Sequence, residues 1–196
     1  MEVGKDASFS KDALRKSMKQ QRRDLPLQDQ KTAAESVAHQ VSTLPEFIAA
    51  NTIAVYSPVQ GELDVSHIIA MAREQGKQCC LPYISDYSNK MMEFLLCDGG
   101  VKKNRYGIVE PLSSNKKIAL CDINIIFMPV VAFDANNNRL GMGAGYYDRA
   151  LECLGSLEKI PVLIGLAYDF QKVPSLAVEP YDIPMDIVLI AKGVAG

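Results

Sequence analysis

Apolar and polar residues alternate along this chain in blocks of two kinds, and each kind predicts a different element. Continuous apolar runs with many β-branched residues are typical of buried strands. Such runs occupy residues 51–56, 78–84, 91–97, 161–169 and 186–191, and a further run starts at Ile123. Blocks with apolar residues three and four positions apart are typical of helices. They predict helices that start at Lys11 and that span residues 28–41, 64–75 and about 145–154.

Capping and breaking residues support these boundaries. Ser10 and Asp64 are of the type that caps a helix N-terminus, and each stands at the start of a predicted helix. Gly76 follows the helix over residues 64–75, where glycine commonly ends a helix. Pro26 breaks the first helix, and Pro45 marks the exit from the second.

The order of the elements predicts the fold class. A strand over residues 51–56, a helix and a second strand over 78–84 form a parallel strand–helix–strand unit. The chain is therefore expected to be a single three-layer α/β/α domain, 1–196, Rossmann-like, with a mainly parallel, mixed sheet and helices on both faces. Residues 1–9 are expected to be flexible, and the weakly alternating residues 102–111 are expected to form a loop over the sheet.

Composition and charge exclude several classes of protein. A net charge of −2 over 196 residues gives no basis for a nucleic-acid partner. No apolar run approaches the ~20 residues that span a bilayer, and the N-terminus lacks the apolar stretch of a secretory signal. The five cysteines are odd in number and lack zinc-site spacing, which favours reduced thiols. A cytoplasmic monomer without a membrane partner is expected.

A glycine cluster between two charged residues is the first candidate for chemistry. Gly141, Gly143 and Gly145 lie between Arg139 and Asp148, after a predicted strand and before a predicted helix. Backbone N–H groups and an arginine in that order suit a phosphate, and an aspartate nearby can bind Mg²⁺. The cluster matches neither the Walker loop nor a full GxGxxG motif. A tight turn and an acid in a first helical turn remain the alternatives.

Two basic residues of the first helix are a second candidate. Lys11 and Arg15 are four positions apart, so they lie on one helical face and could reach a phosphate. Leu14 and Met18 share a neighbouring face, and basic residues occupy most of the others. The residues alone favour a solvated amphipathic helix, as is usual for a charge run.

The remaining candidates are carboxylates and tyrosines in predicted loops. Glu62 could accept two parallel N–H bonds from an aminopyrimidine-like ring, and Tyr106 offers a flat face for stacking. Asp182 and Asp186 precede the last strand, and that loop could supply a second Mg²⁺ ligand. Turn formation is the competing explanation for Asp182.

Taken together, these motifs resemble the 5-formyltetrahydrofolate cyclo-ligase family. The most specific one is FMPVVAFDANNNRLGMGAGYYDRAL, in which Arg-Leu-Gly precedes Gly-Tyr-Tyr-Asp-Arg. KDALR, YSPVQGELD, YGIVEP and EPYDIPMD occur in the order of the family, so the resemblance covers residues 11–186. The resemblance implies a reaction in which ATP and Mg²⁺ convert 5-formyltetrahydrofolate into 5,10-methenyltetrahydrofolate, ADP and phosphate. Phosphoryl transfer of this kind requires alignment and charge neutralisation rather than a protein nucleophile.

The resemblance also implies a role for each matching residue. ATP would contact Lys11, Arg15, Arg139, Leu140, Gly141, Met142, Gly143, Ala144, Gly145, Tyr146 and Tyr147. The reduced folate would contact Tyr56, Glu62, Tyr106 and Tyr146. Asp148 and Asp186 would bind the Mg²⁺, and the catalytic residues would be Arg139, Tyr147 and Asp148. The resemblance thus reverses the solvated-helix interpretation of Lys11 and Arg15.

Two positions depart from the family pattern. Met142 stands where the family usually has arginine, and Tyr181 stands where His-Asp-x-Pro is common. Because methionine supplies no charge to a phosphoryl group, the main alternative is a weakly active or non-catalytic protein that binds folate or nucleotide. A dinucleotide oxidoreductase ranks far behind, because the first strand leads to SPVQGELD rather than to GxGxxG.

Overall fold

A computed structural model describes residues 10–192, so the flexible start expected at residues 1–9 lies outside the described part. The helices are α1 (Lys11–Asp24), α2 (Leu27–Ser42), α3 (Pro45–Ala49), α4 (Ser66–Glu74) and α5 (Tyr146–Ala150). The first six strands are β1 (Thr52–Ala54), β2 (Gln78–Asp86), β3 (Met91–Leu96), β4 (Val101–Lys103), β5 (Val109–Pro111) and β6 (Lys117–Ile118). The remaining strands are β7 (Ile125–Pro129), β8 (Ala132–Phe133), β9 (Arg139–Leu140), β10 (Val162–Tyr168) and β11 (Ile187–Ala191).

The central sheet is mixed and mainly parallel, as predicted. Its order is β11-β10-β7-β1-β2-β3-β6, and the five strands from β11 to β2 run parallel. β3 and β6 close one edge in antiparallel pairing. Two small antiparallel pairs, β4–β5 and β8–β9, lie outside this sheet.

Helices cover both faces of the sheet, which confirms the three-layer prediction. On one face, the apolar sides of α2, α3 and α4 pack on strand residues such as Ile53, Phe127 and Ile164. On the other face, Ile126 and Met128 pack against Leu151 and Leu154, which follow α5. Within residues 10–192, no helix combines the length and apolar character needed to cross a membrane.

Local chemistry explains the element boundaries that were predicted correctly. The Ser10 side chain accepts a hydrogen bond from the Ala13 N–H at 3.2 Å and caps α1. Asp64 is not the N-cap of α4 as predicted, because the helix begins two residues later with Val65 as its N-cap; the Asp64 carboxylate accepts from the Ser66 N–H at 2.8 Å. Gly76 has φ +71°, the left-handed conformation that ends a helix.

Two local predictions were wrong. Residues 102–111 are mostly the hairpin of β4 and β5 rather than a loop; all of β4 is exposed, so no buried stripe marks it in the sequence. The helix expected over residues 145–154 is only α5, because the chain leaves helical geometry at Leu151 (φ −100°, ψ 0°) and continues into a 3₁₀ turn. The exit from the second helix before Pro45 was predicted correctly, since α2 ends at Ser42; Pro45 then occupies the first turn of α3, where its fixed φ is compatible.

The chain order creates a switch point in the sheet. From β1 the chain crosses to β2 on one side, whereas β7, β10 and β11 add to the other side. Ligands of open α/β sheets bind at the carboxyl ends of the strands at such a point. Here those ends lead into Tyr56 after β1 and into Val130 after β7.

Candidate active site

A cavity of about 760 Å³ opens at the carboxyl ends of β1 and β7, within the size range of small-molecule sites. Fifteen of the predicted site residues line it, and they come from four separate segments of the chain. They are Lys11, Arg15, Tyr56, Glu62, Tyr106, Arg139, Leu140, Gly141, Met142, Gly143, Ala144, Gly145, Tyr146, Tyr147 and Asp148.

Arg139 anchors the glycine loop. It lies in β9, which pairs with β8, and its side chain is only 5% exposed. Its Nη2 donates to Asp148 Oδ1 at 2.9 Å, while its buried Nε has no hydrogen-bond partner. A Cβ on Gly141 would lie 2.7 Å from Arg139 Nη1, so a larger residue there would displace the guanidinium. The loop therefore presents a guanidinium with an unused donor.

Arg15, in α1, contacts the same glycine loop. Its Nε donates to the Gly141 carbonyl at 3.0 Å, and its Nη1 donates to Asp12 Oδ1 at 2.7 Å. A Cβ on Gly143 would lie 3.3 Å from Arg15 Cζ, and Gly143 has φ +97°. Two guanidinium groups thus flank one short backbone segment, an arrangement that suits phosphate oxygens.

The apolar face of α1 explains why Arg15 reaches the loop. Leu14 and Met18 pack against Val131 and Leu140 beside the cavity. This packing turns the neighbouring face of α1, with Arg15, toward the glycines. The solvated-helix alternative for Lys11 and Arg15 therefore does not describe this face, as the resemblance implied. Lys11 also lines the cavity, with its Nζ 3.7 Å from a carboxylate oxygen of Glu179 and 3.7 Å from one of Asp182.

Glu62 lies at the inner end of the cavity in a tight turn. It is 9% exposed, and its Oε2 accepts from the Val59 N–H at 3.1 Å. Burial raises the pKa of Glu62, against the opposing charge of Arg22. Tyr56 is buried beside it and donates its hydroxyl to the Leu63 carbonyl at 2.9 Å.

Arg22 lies behind the cavity in contact with Glu62, and its place there was not predicted. It is fully buried in the last turn of α1, with Nη1 3.5 Å from Glu62 Oε1 and 3.3 Å from the Val130 carbonyl. The charge run around it suggested a solvated surface. A usable indication was its spacing, because Arg22 follows the apolar residues Leu14 and Met18 at the same interval of four.

Aromatic residues form the mouth of the cavity. The hydroxyls of Tyr106 and Tyr146 are 3.4 Å apart, and Arg105 Nη2 donates to the Tyr106 hydroxyl at 2.8 Å. Arg105 also lies over the Tyr87 ring, with Cζ 3.9 Å from its centroid. Tyr106 remains 52% exposed, so its ring is accessible to a flat ligand.

Tyr147 lies deeper than the tyrosines of the mouth. Its ring centroid is 5.5 Å from Arg139 Cζ, within the range of a cation–π contact. Desolvation raises the pKa of Tyr147 well above its usual value, so the hydroxyl is neutral at pH 7. The neutral Tyr147 ring therefore packs against the Arg139 guanidinium.

The structure does not bring the predicted metal pair of Asp148 and Asp186 together in the cavity. Asp186 does not line the cavity; its Oδ2 accepts from the Leu163 N–H at 2.7 Å and so holds the start of β10. Between residues 10 and 192, no group of three or more His, Cys, Asp or Glu side chains forms a candidate metal cluster. Asp148 alone still fits Mg²⁺, because that ion is commonly held by one or two carboxylates together with substrate phosphates and water.

Comparison with known proteins places the chain in a family. The model of the 5-formyltetrahydrofolate cyclo-ligase family matches residues 7–191. The chain belongs to that family. It is 36% identical to the 5-formyltetrahydrofolate cyclo-ligase of Haemophilus influenzae over 180 residues, which cover 90% of this chain and 95% of the relative.

Solved structures of methenyltetrahydrofolate synthetases have the same fold. The structure of 5,10-methenyltetrahydrofolate synthetase from Aquifex aeolicus aligns with a TM-score of 0.80 at 29% identity, covering 95% of this chain and 92% of the other. The Mycoplasma pneumoniae synthetase aligns with a TM-score of 0.74 at 26% identity, covering 92% and 98%. These comparisons confirm the family and the α/β fold class, and they confirm that the chain is a cyclo-ligase enzyme. A dinucleotide oxidoreductase is thereby excluded.

Proposed function

We propose that this chain converts 5-formyltetrahydrofolate into 5,10-methenyltetrahydrofolate with ATP as co-substrate and Mg²⁺ as the metal. One observation carries the proposal: the glycine loop with its two guanidinium groups opens into the same cavity as Glu62 and Tyr106. A phosphate-binding half and a half suited to a flat, amino-substituted ring therefore face one space. A cytoplasmic monomer that acts on these small molecules stays a prediction.

The phosphate-binding half consists of Arg15, Arg139 and the loop from Gly141 to Gly145. Arg139 keeps donor capacity beyond its bond to Asp148, because its Nε has no hydrogen-bond partner. A Cβ on Gly141 or on Gly143 would occupy space beside a guanidinium. The triphosphate would therefore lie along this backbone between the two arginines. Lys11 would join them at the edge of the cavity.

The folate-binding half consists of Glu62, Tyr56 and the tyrosines of the mouth. A carboxylate can accept two parallel N–H bonds from the aminopyrimidine edge of a pterin. Tyr106 would cover the face of the ring, and Tyr146 would line the passage between the two halves. Tyr56 contributes its ring to the wall, because its hydroxyl is already bonded to Leu63.

The proposed reaction needs no covalent bond to the protein. The formyl oxygen forms a bond to the γ-phosphorus while the bond from that phosphorus to ADP breaks. N10 then attacks the formyl carbon, phosphate leaves with the former formyl oxygen, and N10 loses its proton. Arg139 and Arg15 would neutralise charge on the transferring group, and the residues lining the cavity would hold the formyl oxygen in line with it. Mg²⁺ held by Asp148 would supply further charge neutralisation at the phosphates.

A direct assay tests the proposed function. The full chain is incubated with 5-formyltetrahydrofolate, ATP and Mg²⁺, and the methenyl product is followed by its absorbance. We expect turnover that requires all three components, with one ADP formed for each methenyl product. Binding of both substrates without turnover would favour the non-catalytic alternative, and binding of neither would refute both.

Two aspartate variants test the metal assignment in the same assay. Asp148→Asn should raise the Mg²⁺ concentration needed for half-maximal activity, because it removes the charge that would hold the ion. Asp186→Asn is the matched control, since it weakens the bond to the Leu163 N–H and should lower the unfolding midpoint instead. An unchanged Mg²⁺ requirement in Asp148→Asn would contradict the assignment of Asp148.

The non-catalytic alternative rests on Met142. This residue lines the cavity within the glycine loop and is 36% exposed, so its side chain points to where a charged residue could act. Met142→Arg should raise kcat, because an added guanidinium would stabilise the transferring phosphoryl group. Initial rates at saturating substrates provide the measurement. An equal or lower kcat in a variant of unchanged thermal stability would show that the loop needs no charge at position 142.

A further inference from the structure

Arg22 is the buried charge that the proposed reaction does not use directly. It is 0% exposed, and its neighbour Arg23 in the same helical turn is exposed. Of its nitrogens, Nη1 reaches Glu62 and the Val130 carbonyl, whereas Nε and Nη2 have no hydrogen-bond partner. A buried guanidinium with unused donors is costly to maintain, so its position calls for an explanation beyond packing.

The backbone around Glu62 is shaped to fit this part of α1. Gln60 and Gly61 both have positive φ, 52° and 74°, and form the turn that precedes Glu62. A Cβ on Gly61 would lie 2.6 Å from the Arg22 carbonyl oxygen, so the turn approaches the helix backbone as closely as glycine allows. The position of Glu62 relative to Arg22 is thus set by two contacts. One is the approach of Gly61 to the Arg22 backbone, and the other is the ion pair of Glu62 with Arg22 at 3.5 Å.

Three tyrosines and one lysine also lie near Glu62, and none of them stabilises its negative charge as strongly as Arg22 does. Tyr56, Tyr147 and Tyr168 lie near it, and burial raises the pKa of each hydroxyl, so all three are neutral at pH 7. Lys19 of α1 is the other cation, and it acts more weakly on the Glu62 carboxylate than Arg22 does. Arg22 therefore carries most of the charge that opposes the desolvation of Glu62.

We propose that Arg22 is a positioning residue that keeps Glu62 ionised and oriented in the cavity for a ligand with two adjacent N–H donors, the edge of an aminopyrimidine ring. This inference rests on the proposed function, because the ring is that of the reduced folate. Arg22 does not line the cavity, so it acts through Glu62. Without Arg22, Glu62 would be protonated at a higher pH and would lose one acceptor for the ring.

The test compares Arg22→Met with the wild type between about pH 5 and 9. The KM for 5-formyltetrahydrofolate should begin to rise at a higher pH in the variant and should then increase about tenfold for each further pH unit downward. The KM for ATP should stay within about twofold, since Arg22 contacts no phosphate-binding group. Arg22→Lys should restore part of the wild-type profile, because it keeps the charge without the planar fork. Arg23→Met is the matched control on the solvent side.

Two outcomes would overturn the inference. One is a wild-type pH profile of the folate KM in Arg22→Met; the other is an equal rise in the KM of both substrates. If Arg22→Met does not fold, two other variants test whether Arg22 acts through Glu62. They are Arg22→Lys and the double variant Arg22→Met with Glu62→Gln. In the double variant the pH dependence of the folate KM in this range should disappear, because the amide side chain introduced by Glu62→Gln does not titrate.

A separate measurement keeps this inference distinct from the proposed function. If the wild type shows no turnover, the proposed function fails. The pH dependence of the free energy of unfolding would still report on the interaction between Arg22 and Glu62. A buried Glu62 without Arg22 would have a further raised pKa, so the stability of Arg22→Met should fall relative to the wild type as pH rises through that pKa. A stability difference that is constant between about pH 5 and 8 would refute the coupling as well.

Discussion

Arg139→Met is expected to lower kcat by about 100- to 1,000-fold, the usual cost of removing one well-placed donor to a transition-state oxyanion. The Arg139 side chain is nearly enclosed, and its Nη2 bond to Asp148 at 2.9 Å fixes its plane beside the glycine loop. Its Nε is buried without a hydrogen-bond partner, so the guanidinium has donor capacity that the bond to Asp148 does not use. Because methionine has a similar length and no charge, the variant removes the donors while keeping most of the packing against Tyr147.

The measurement is single-turnover formation of the methenyl product, which separates the chemical step from product release. Arg149→Met is the matched control, because Arg149 is exposed, lies ten residues further along the chain and does not line the cavity. It should retain kcat within about twofold. Arg139→Lys should recover little activity, since an ammonium cannot bond Asp148 and a phosphate with one planar fork. A kcat for Arg139→Met within tenfold of the wild type would contradict the role of Arg139.

The sheet and its order of elements were accessible from the sequence for a simple reason. Strands that are buried on both faces appear as continuous apolar runs, and β7 and β10 are almost entirely buried. The exposed strand β4 has no such pattern, and the pairing of β8 with β9 depends on contacts between short segments with two residues each. Propensity alone does not reveal pairings of that length.

Some residues of the cavity and its surroundings could be predicted from the sequence, and others could not. The glycine loop and Arg139 are identifiable because their motif is local, with all its members within ten residues. Asp186 belongs to a matching motif, yet its carboxylate is bonded to β10, and no local pattern reveals this distant contact. Arg22 was missed for the opposite reason. A basic residue in a basic helix suggests solvent, and its burial depends on Glu62, which is 40 residues away.

Gly61→Ala is expected to lower the free energy of unfolding by about 2–5 kcal/mol. Two costs add. A residue with a side chain loses about 1–2 kcal/mol in the left-handed conformation that Gly61 adopts at φ 74°. Its Cβ would also lie 2.6 Å from the carbonyl oxygen and 2.9 Å from the carbonyl carbon of Arg22, and crowding of this kind costs about 1–3 kcal/mol. The clash is with helix backbone, which cannot yield as a flexible side chain would.

Gly76→Ala separates the two costs. Gly76 has nearly the same φ, 71°, but a Cβ there would meet nothing within 4 Å. Urea unfolding of both variants should therefore show a loss of about 1–2 kcal/mol for Gly76→Ala, from conformation alone, and a clearly greater loss for Gly61→Ala. The Gly61→Ala variant should also bind 5-formyltetrahydrofolate more weakly at temperatures where it is folded, because the clash displaces Glu62 from Arg22. Equal losses of stability would mean that the turn moves away from α1 without cost, and that the close approach of Gly61 to Arg22 does not hold Glu62 in the cavity.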